Sequence, residues 1–198
     1  MNQDRQRKLV VSEFLSLDGV MQAPGLPDED TEGGFKHGGW QQAYFDEQFG
    51  DAITRTIASA DAMLLGRRTY DIFAGYWPKS KEEMARPLNA MTKYVVSRTR
   101  KAVEWQNSVL IKGDVAPEVA RLKQESGKNI VVFGSGQLVQ TLLGHNLVDQ
   151  LQVVIHPVIL GSGKRLFRDP IDRKNLTLAE SRITPKGVLI LEYRPAGG

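Results

Sequence analysis

The sequence predicts an α/β domain with a largely parallel sheet that ends in an antiparallel hairpin. Two observations carry this prediction. Short apolar runs, typical of buried strands, alternate along the chain with amphipathic segments of helical spacing. Near the C-terminus, two further strand-like runs flank Thr-Pro-Lys-Gly at 184–187, which is a turn signal. Alternating strands and helices favour a parallel sheet flanked by helices, and the closing pair adds an antiparallel edge.

The first predicted elements are a short strand and a long loop. Residues 9–14 form an apolar, β-branched run that predicts the first strand. The loop from Ser16 to Trp40 is rich in glycine, proline and aspartate. Loops longer than about 15 residues are uncommon in compact domains and are usually functional or disordered. We therefore expect this loop to cover a site.

The rest of the chain alternates between helices and strands. Residues 41–59 carry apolar side chains at helical spacing, which predicts an amphipathic helix. Asp114 and Ser135 each precede another such segment and are predicted helix caps. The remaining predictions are strands at 62–65, 93–97, 108–112, 129–133 and 150–156, helices at 67–73, 115–124 and 137–143, and hairpin strands at 176–182 and 188–193.

The composition indicates one domain and excludes several classes of protein. With 198 residues, of which 41% are hydrophobic and 25% charged, the chain matches a single domain at 8–194, with loose tails at 1–7 and 195–198. It has no cysteine, which excludes disulfides and thiolate metal sites, and its three histidines are too dispersed to form a metal site. The net charge of +3 is spread without a basic block. Neither a secretory segment nor a membrane span is predicted, so we expect a cytoplasmic protein.

The sharpest local motif is a strand followed by Gly134-Ser135-Gly136 and the start of a helix. Glycine lets the backbone approach a ligand closely, and the free N–H groups at a helix start attract phosphate. The motif lacks the third small residue of a dinucleotide fingerprint, because Val139 stands at that position. Nucleotide binding and a plain tight turn therefore both stay open.

Two other strand ends carry residues suited to phosphate. Residues 66–69 read Gly-Arg-Arg-Thr after one predicted strand, and residues 97–99 read Ser-Arg-Thr after another. A guanidinium fork bonds two oxygens at once, although ordinary surface arginine is the alternative for each of these residues. Since α/β sheets bind ligands at the carboxyl ends of their strands, the three junctions together predict an anion site at that edge.

Other candidate motifs are weaker. Residues 161–165 are similar to a P-loop, but Val158 stands where its first glycine is required and arginine replaces its last hydroxyl. The sequence contains no Gly-x-Ser-x-Gly elbow, so nothing in it indicates a serine hydrolase. His156 is predicted to be a core or edge histidine. Asp46 and Glu47, on the first helix, are candidate proton donors, although charged helix residues usually face water.

Five short motifs occur in an order that resembles a known family. They are Ser-Leu-Asp-Gly at 16–19, Leu-Gly-Arg-Arg-Thr-Tyr at 65–70, Val-Val-Ser-Arg at 95–98, Val-Phe-Gly-Ser-Gly at 132–136 and His-Pro-Val-Ile-Leu-Gly-Ser-Gly at 156–163. From Lys8 to Arg194 the chain resembles the dihydrofolate reductase-like superfamily. It is more closely similar to the reductase domain at the C-terminus of the bifunctional riboflavin-biosynthesis deaminase–reductase. It resembles a stand-alone member, because the deaminase's zinc-site residues have no counterpart here.

The resemblance implies a dihydrofolate reductase-like fold, NADPH as cofactor, a small-molecule substrate and a homodimer. It implies an oxidoreductase that transfers hydride to a C=N or C=O carbon of a small heterocyclic or ribosylamino-pyrimidine-like substrate. Asp18 is the implied catalytic residue, orienting the substrate, and Ser97 and Arg98 would meet the 2′-phosphate. The implied cofactor contacts are Gly19, Gly66, Arg67, Arg68, Thr69, Ser97, Arg98, Gly134, Ser135, Gly136, Gln137 and Leu138.

Two other functions stay open on the sequence. A non-catalytic NADP(H)-binding sensor or interaction module is the alternative, because the sequence places no acid securely and a fold alone does not give function. Nucleic-acid binding is a weaker alternative that rests on the small basic surplus. The sequence predicts no metal and no membrane partner.

Overall fold

The protein, described over residues 6–197 by a computed structural model, is one sheet of eight strands with helices on both faces. The strands are β1 (Leu9–Ser16), β2 (Ala60–Gly66), β3 (Thr92–Val96), β4 (Ser108–Ile111), β5 (Asn129–Phe133), β6 (Gln150–His156), β7 (Leu176–Ile183) and β8 (Leu189–Pro195). The helices are α1 (Glu47–Ala58), α2 (Arg67–Tyr76), α3 (Ala85–Ala90), α4 (Val115–Gln124) and α5 (Gly136–Gly144). Single turns of 3-10 helix lie at Glu32–Gly34 and Gln42–Tyr44.

The strand order places β1 at the centre of the parallel region. It is β4-β3-β2-β5-β1-β6-β8-β7, in which β1 to β6 run parallel and β8 and β7 are antiparallel. The predicted parallel sheet with a C-terminal antiparallel hairpin is confirmed. Because parallel strands share a direction, the carboxyl ends of β3, β2, β5, β1 and β6 meet along one edge of the sheet, called here the carboxyl edge.

Apolar side chains on both faces of the sheet hold the helices in place. Phe49 of α1 and Leu88 of α3 are buried against one face, and Val119 of α4 and Leu142 of α5 are buried against the other. Each such side chain contributes roughly 1.5–3 kcal/mol when removed from water. The central strands are covered on both sides, which is why they appear in the sequence as continuous apolar runs.

Two helical predictions differ from the structure. The helix predicted over 41–59 begins only at Glu47, because Asp46 is its N-cap and accepts a hydrogen bond from the Phe49 N–H at 2.9 Å. A 3-10 turn precedes it. Helix α3 was not predicted, since its six residues bury only Ala85 and Leu88 and so carry almost no periodic signal.

The N-terminal tail is only partly as predicted. Arg7 is buried, donates a 2.8 Å hydrogen bond to the Lys128 carbonyl and pairs with Asp61. The prediction of a loose tail is therefore wrong at residue 7. Residues 1–5 of the predicted tail lie outside the described residues. At the other end, the Ala196 N–H donates to the Asn175 carbonyl at 3.0 Å, and residue 198 is outside the described part.

Strand β7 forms one edge of the sheet and is exposed along its whole length. It presents Leu178 and Ile183, which are 49% and 69% exposed. An exposed edge strand is a template for pairing with another chain. The homodimer stays a prediction. Among residues 6–197, no helix combines the length and apolarity that crossing a bilayer requires.

Candidate cofactor and substrate site

Two of the predicted phosphate-binding junctions contact each other directly at the carboxyl edge. The Gly66 N–H, where β2 meets α2, donates to the Ser135 hydroxyl at 2.9 Å. The Ser135 N–H and hydroxyl lie 3.0 and 3.1 Å from the Thr69 hydroxyl. These bonds join the loop after β2 to the loop after β5, although about seventy residues of chain separate them.

The Gly134-Ser135-Gly136 turn requires positive φ at two residues, of which only the glycine is indicated by the sequence. Gly134 and Ser135 both have left-handed backbones, with φ of +54° and +60°. Ser135 occupies the N-cap position of α5, but its side chain makes no capping hydrogen bond. The predicted N-cap position is therefore correct, but the hydroxyl does not cap the helix because the β2–α2 junction uses it instead. The first N–H groups of α5 have no partner within the helix and remain available for an acceptor.

Gly136 lies where the long loop approaches α5. A Cβ on Gly136 would lie 2.7 Å from the Met21 sulfur, so only glycine permits this contact. Gln137 is exposed, whereas the Leu138 side chain is buried in the core and offers a ligand only its backbone N–H. The turn and the first turn of α5 thus present backbone groups at the carboxyl edge.

The third junction lies at the end of β3, the neighbour of β2. The buried Ser97 hydroxyl accepts hydrogen bonds from the N–H groups of Arg100 at 3.0 Å and Thr99 at 3.3 Å. This turn orders the backbone around Arg98, whose side chain is exposed. Arg67 is exposed as well, and neither arginine makes an ion pair within the described residues. Both guanidinium groups can therefore meet an anion.

Asp18, at the end of β1, is occupied by structural hydrogen bonds. Its carboxylate accepts from the Ser16 hydroxyl at 2.7 Å and from the N–H groups of Leu160 and Gly161 at 3.1 and 2.9 Å. Desolvation would raise the pKa of Asp18, but these bonds outweigh it and lower the pKa to about 2. Gly19 beside it has φ of +80°. Asp18 is thus ionised and links the end of β1 to the loop after β6.

The long loop is ordered around one buried glutamine. Gln22 is 4% exposed, and its amide nitrogen donates to the carbonyls of Asp30 and Glu32 at 3.1 and 2.9 Å. Its amide oxygen accepts from the Lys164 N–H at 3.0 Å, and its carbonyl accepts from the Trp40 indole at 2.8 Å. The loop therefore has an ordered, internally hydrogen-bonded structure beside the carboxyl edge, and we call it the cover.

Four charged side chains join this cover to the start of α2 and to the segment after β6, and we call them the ionic latch: Asp30, Glu32, Arg68 and Lys164. The Lys164 ammonium lies 2.5 Å from both Asp30 and Glu32, and Arg68 pairs with Glu32 and lies 3.6 Å from Asp30. Hydrogen bonds from Arg68 and Lys164 lower the pKa of Glu32 to about 2. Arg68, a predicted cofactor contact, is thus held by the loop that covers the site.

Comparison with known proteins decides the family. The family model described as RibD C-terminal domain matches residues 7–190. The chain belongs to the RibD C-terminal domain family. It is 30% identical to the protein YyaP of Bacillus subtilis over 97% of each chain. The family is reductase-like, which agrees with the predicted resemblance.

Solved structures support the same fold. The bifunctional deaminase/5-amino-6-(5-phosphoribosylamino)uracil reductase of Thermotoga maritima matches with a TM-score of 0.62 at 12% identity, over 96% of this chain and 57% of that one. Dihydrofolate reductase from Enterococcus faecalis, complexed with NADP(H), matches with a TM-score of 0.63 at 14% identity, over 96% and 98%. The predicted dihydrofolate reductase-like fold of a RibD-type reductase domain is confirmed.

The latch makes a testable prediction about the loop of this RibD-family domain. Glu32→Gln removes the carboxylate shared by Arg68 and Lys164, and exposed ion pairs of this kind hold a loop only weakly. We expect tryptic cleavage after exposed Lys36 to become about two- to fivefold faster, and added salt to raise the wild-type rate toward that of the variant.

The matched control for the latch is Glu118→Gln on α4. Glu118 is also paired with an arginine, Arg121, but lies away from the loop. Cleavage at Lys36 should be unchanged in this variant. Equal cleavage rates in Glu32→Gln and Glu118→Gln would contradict the latch.

Two residues of the site were missed by the sequence interpretation. Arg168 lies within the segment that connects β6 to β7; its Nη2 would lie 3.9 Å from a Cβ on Gly136, and its Nε is buried with no hydrogen-bond partner among residues 6–197. Nothing local in the sequence relates Arg168 to the start of α5. Glu13 lies in the middle of β1 and is 2% exposed, and a carboxylate inside an apolar strand was the signal that would have found it.

Among the described residues, no group of three or more histidine or acidic side chains is arranged to hold a metal ion. Asp46, a candidate proton donor, is committed to capping α1. Desolvation raises the pKa of Asp46, but hydrogen bonds, led by the one from the Phe49 N–H, outweigh this effect and lower the pKa. It is therefore ionised and not placed to donate a proton.

Proposed function

We propose that this RibD-family domain is an NADPH-dependent reductase that transfers hydride to a C=N or C=O carbon of a small heterocyclic or ribosylamino-pyrimidine-like molecule. The observation that carries the proposal is the hydrogen-bonded union of the Gly66–Thr69 junction with Gly134-Ser135-Gly136 at the carboxyl edge. It brings glycine backbone, helix N–H groups and arginine together, which is the chemistry that binds a dinucleotide pyrophosphate.

The strand order supports a linear layout for the cofactor. Along the carboxyl edge the strands follow as β3, β2, β5, β1 and β6. Arg98 after β3 suits a 2′-phosphate, the union of the β2 and β5 loops suits the pyrophosphate, and β1 with Asp18 and Gly19 suits the nicotinamide. The hydride acceptor would then lie against β1 and β6, under the long loop.

The residues present fit NADPH, whose nicotinamide, when bound, supplies the hydride. The protein's contribution is to hold two carbons in contact and to exclude water. Asp18 fixes the loop after β6 relative to β1, which sets the floor of the acceptor site. The loop closed by the ionic latch keeps solvent away. Because Asp18 is ionised, the proton that completes the reduction comes from water in this proposal.

Thermal unfolding with NADPH and NADH tests the proposal. A ligand at about 100 times its Kd stabilises a protein by about 2.7 kcal/mol, which is several degrees for a domain of this size. We expect a larger shift with NADPH than with NADH, and Arg98→Ala should remove the difference. Arg173→Ala, which changes an exposed arginine in the segment before β7, should leave it intact. No shift with either nucleotide would overturn the cofactor.

Catalysis is tested separately from binding. Oxidation of bound NADPH by an imine or carbonyl compound, followed as loss of nicotinamide absorbance, supports the reductase. Tight NADPH binding without turnover of any such acceptor would instead support the non-catalytic sensor that the sequence leaves open.

A further inference from the structure

His156, the last residue of β6, lies inside a box of four aromatic side chains. It is fully buried, and its ring centroid lies 5.1–6.1 Å from those of Phe14, Trp40, Tyr44 and Phe49. Each of these rings is tilted by 69–87° from the imidazole plane. None of the four carries a formal charge, so the box is an uncharged, aromatic environment.

The hydrogen bonds of His156 fix which ring nitrogen carries the proton. Nδ1 lies 3.3 Å from the Leu15 carbonyl and 3.2 Å from the Val154 carbonyl, and both of these oxygens are acceptors only. Nδ1 therefore carries the hydrogen. Desolvation lowers the pKa of His156 more than the carbonyls raise it, which keeps the ring neutral. Nε2 is left as a bare acceptor.

The acceptor nitrogen has no partner in the part of the protein that the structure describes. His156 Nε2 is buried and makes no hydrogen bond to any described residue. An unpaired buried polar atom destabilises the folded state, and native proteins rarely retain such an atom without a reason. Phenylalanine would fill the box without an unpaired acceptor, but it would also lack the Nδ1–H that bonds the Leu15 and Val154 carbonyls.

The box lies where the proposed reductase would hold its hydride acceptor. His156 is opposite Ser16 in the parallel pairing of β1 with β6, two residues from Asp18. Trp40 and Tyr44 come from the segment that follows the long loop, while Phe14 and Phe49 belong to β1 and α1. Trp40 is held by its indole hydrogen bond to the Gln22 carbonyl and by contacts within a small cluster with Val20 and Phe35.

We propose that His156 is a specificity-determining residue, whose Nε2 accepts a hydrogen bond from a ring N–H or hydroxyl of the hydride acceptor once Trp40 moves aside. This inference rests on the proposed function. The uncharged rings of the box require that the part of the molecule inside it is planar and neutral, since a buried unpaired charge would be costly there. Any phosphate on the substrate would therefore lie outside the box.

Nitrogen NMR of the three histidine side chains tests the proposal on the full chain. With NADPH present, we expect millimolar uracil, 5-aminouracil or pterin to shift the Nε2 resonance of His156, because each is planar and carries a ring N–H. The matched probe 1,3-dimethyluracil has no ring N–H and should leave it unchanged. If none of the three probes moves the resonance, or if dimethyluracil moves it equally, the inference is wrong.

Two variants separate recognition from structure. His156→Phe keeps an aromatic ring and removes the acceptor, so the Kd of the responsive probe should rise about tenfold. Its thermal shift with NADPH should match that of the wild type. His145→Phe, at an exposed histidine, is the control. An unchanged probe Kd in His156→Phe would make the residue structural only, whereas failure of the wild type to respond to NADPH would overturn the proposed function itself.

Discussion

Gly134→Ala is expected to lower the free energy of unfolding by about 3 kcal/mol and to abolish stabilisation by NADPH. Gly134 has φ of +54°, where a side chain costs about 1–2 kcal/mol. A Cβ would also lie 2.9 Å from the Thr69 hydroxyl, which must then give up its bonds to Ser135, at about 1 kcal/mol each. Denaturant unfolding and thermal shifts with NADPH measure the two effects.

Gly75→Ala is the matched control for this substitution. Gly75 lies within α2, and nothing lies within 4 Å of the position of its Cβ. Because alanine is a better helix former, this variant should gain about 0.5–1 kcal/mol and keep its response to NADPH. A Gly134→Ala protein as stable as the wild type would show that the β2 and β5 loops are not locked together as the structure indicates.

Glu13→Gln is expected to stabilise the protein, and most strongly at alkaline pH. Burial raises the pKa of Glu13 well above its usual range, an effect that the Gly134 N–H only partly opposes, and one carboxyl oxygen has no partner. A pKa raised by folding means that the folded state holds the proton more tightly. Stability is then complete below the ordinary pKa, near 4.5, and falls as pH rises toward the raised value.

The gain from Glu13→Gln should grow between pH 5 and pH 8, because the wild type loses stability over that range whereas glutamine does not titrate. Urea unfolding between pH 5 and pH 8 measures it, and the wild-type loss of stability over that range should shrink in the variant. Glu83→Gln, at an exposed position, should leave the wild-type profile unchanged. A variant less stable than the wild type at pH 8 would mean that Glu13 is ionised and usefully paired.

Much of the fold follows from local rules. The runs that became β5 and β6 were predicted at their observed bounds, because buried parallel strands carry a run of apolar residues that stands out in the sequence. Helix α4 begins after Asp114 as predicted, since that carboxylate accepts from the Ala116 N–H. Prediction was less accurate where signals were short or ambiguous, as at α3 and at the start of α1, where an apolar turn before Asp46 resembles helix.

For the candidate site, the sequence predicts which residues are present but not the contacts between them. The residue types and their place after strands come from the sequence, because the carboxyl ends of parallel strands share an edge whatever the order of the strands. The sequence does not determine which of these side chains contact each other at that edge. From the sequence alone, the Ser135 hydroxyl is expected to cap a helix. It bonds Thr69 instead, because the fold places the loop after β2 beside it.

The sequence by itself determined the class of fold, the place of three candidate anion-binding junctions and the resemblance to a reductase family, since each is carried by residues close together in the chain. The tertiary structure alone decided that Arg68 is held by the covering loop, that Asp18 is ionised and bonded to backbone, and that Glu13 and His156 are buried with an unpaired atom. The physical reason is that charge state and hydrogen bonding depend on partners far apart in sequence and on burial, which no local pattern encodes.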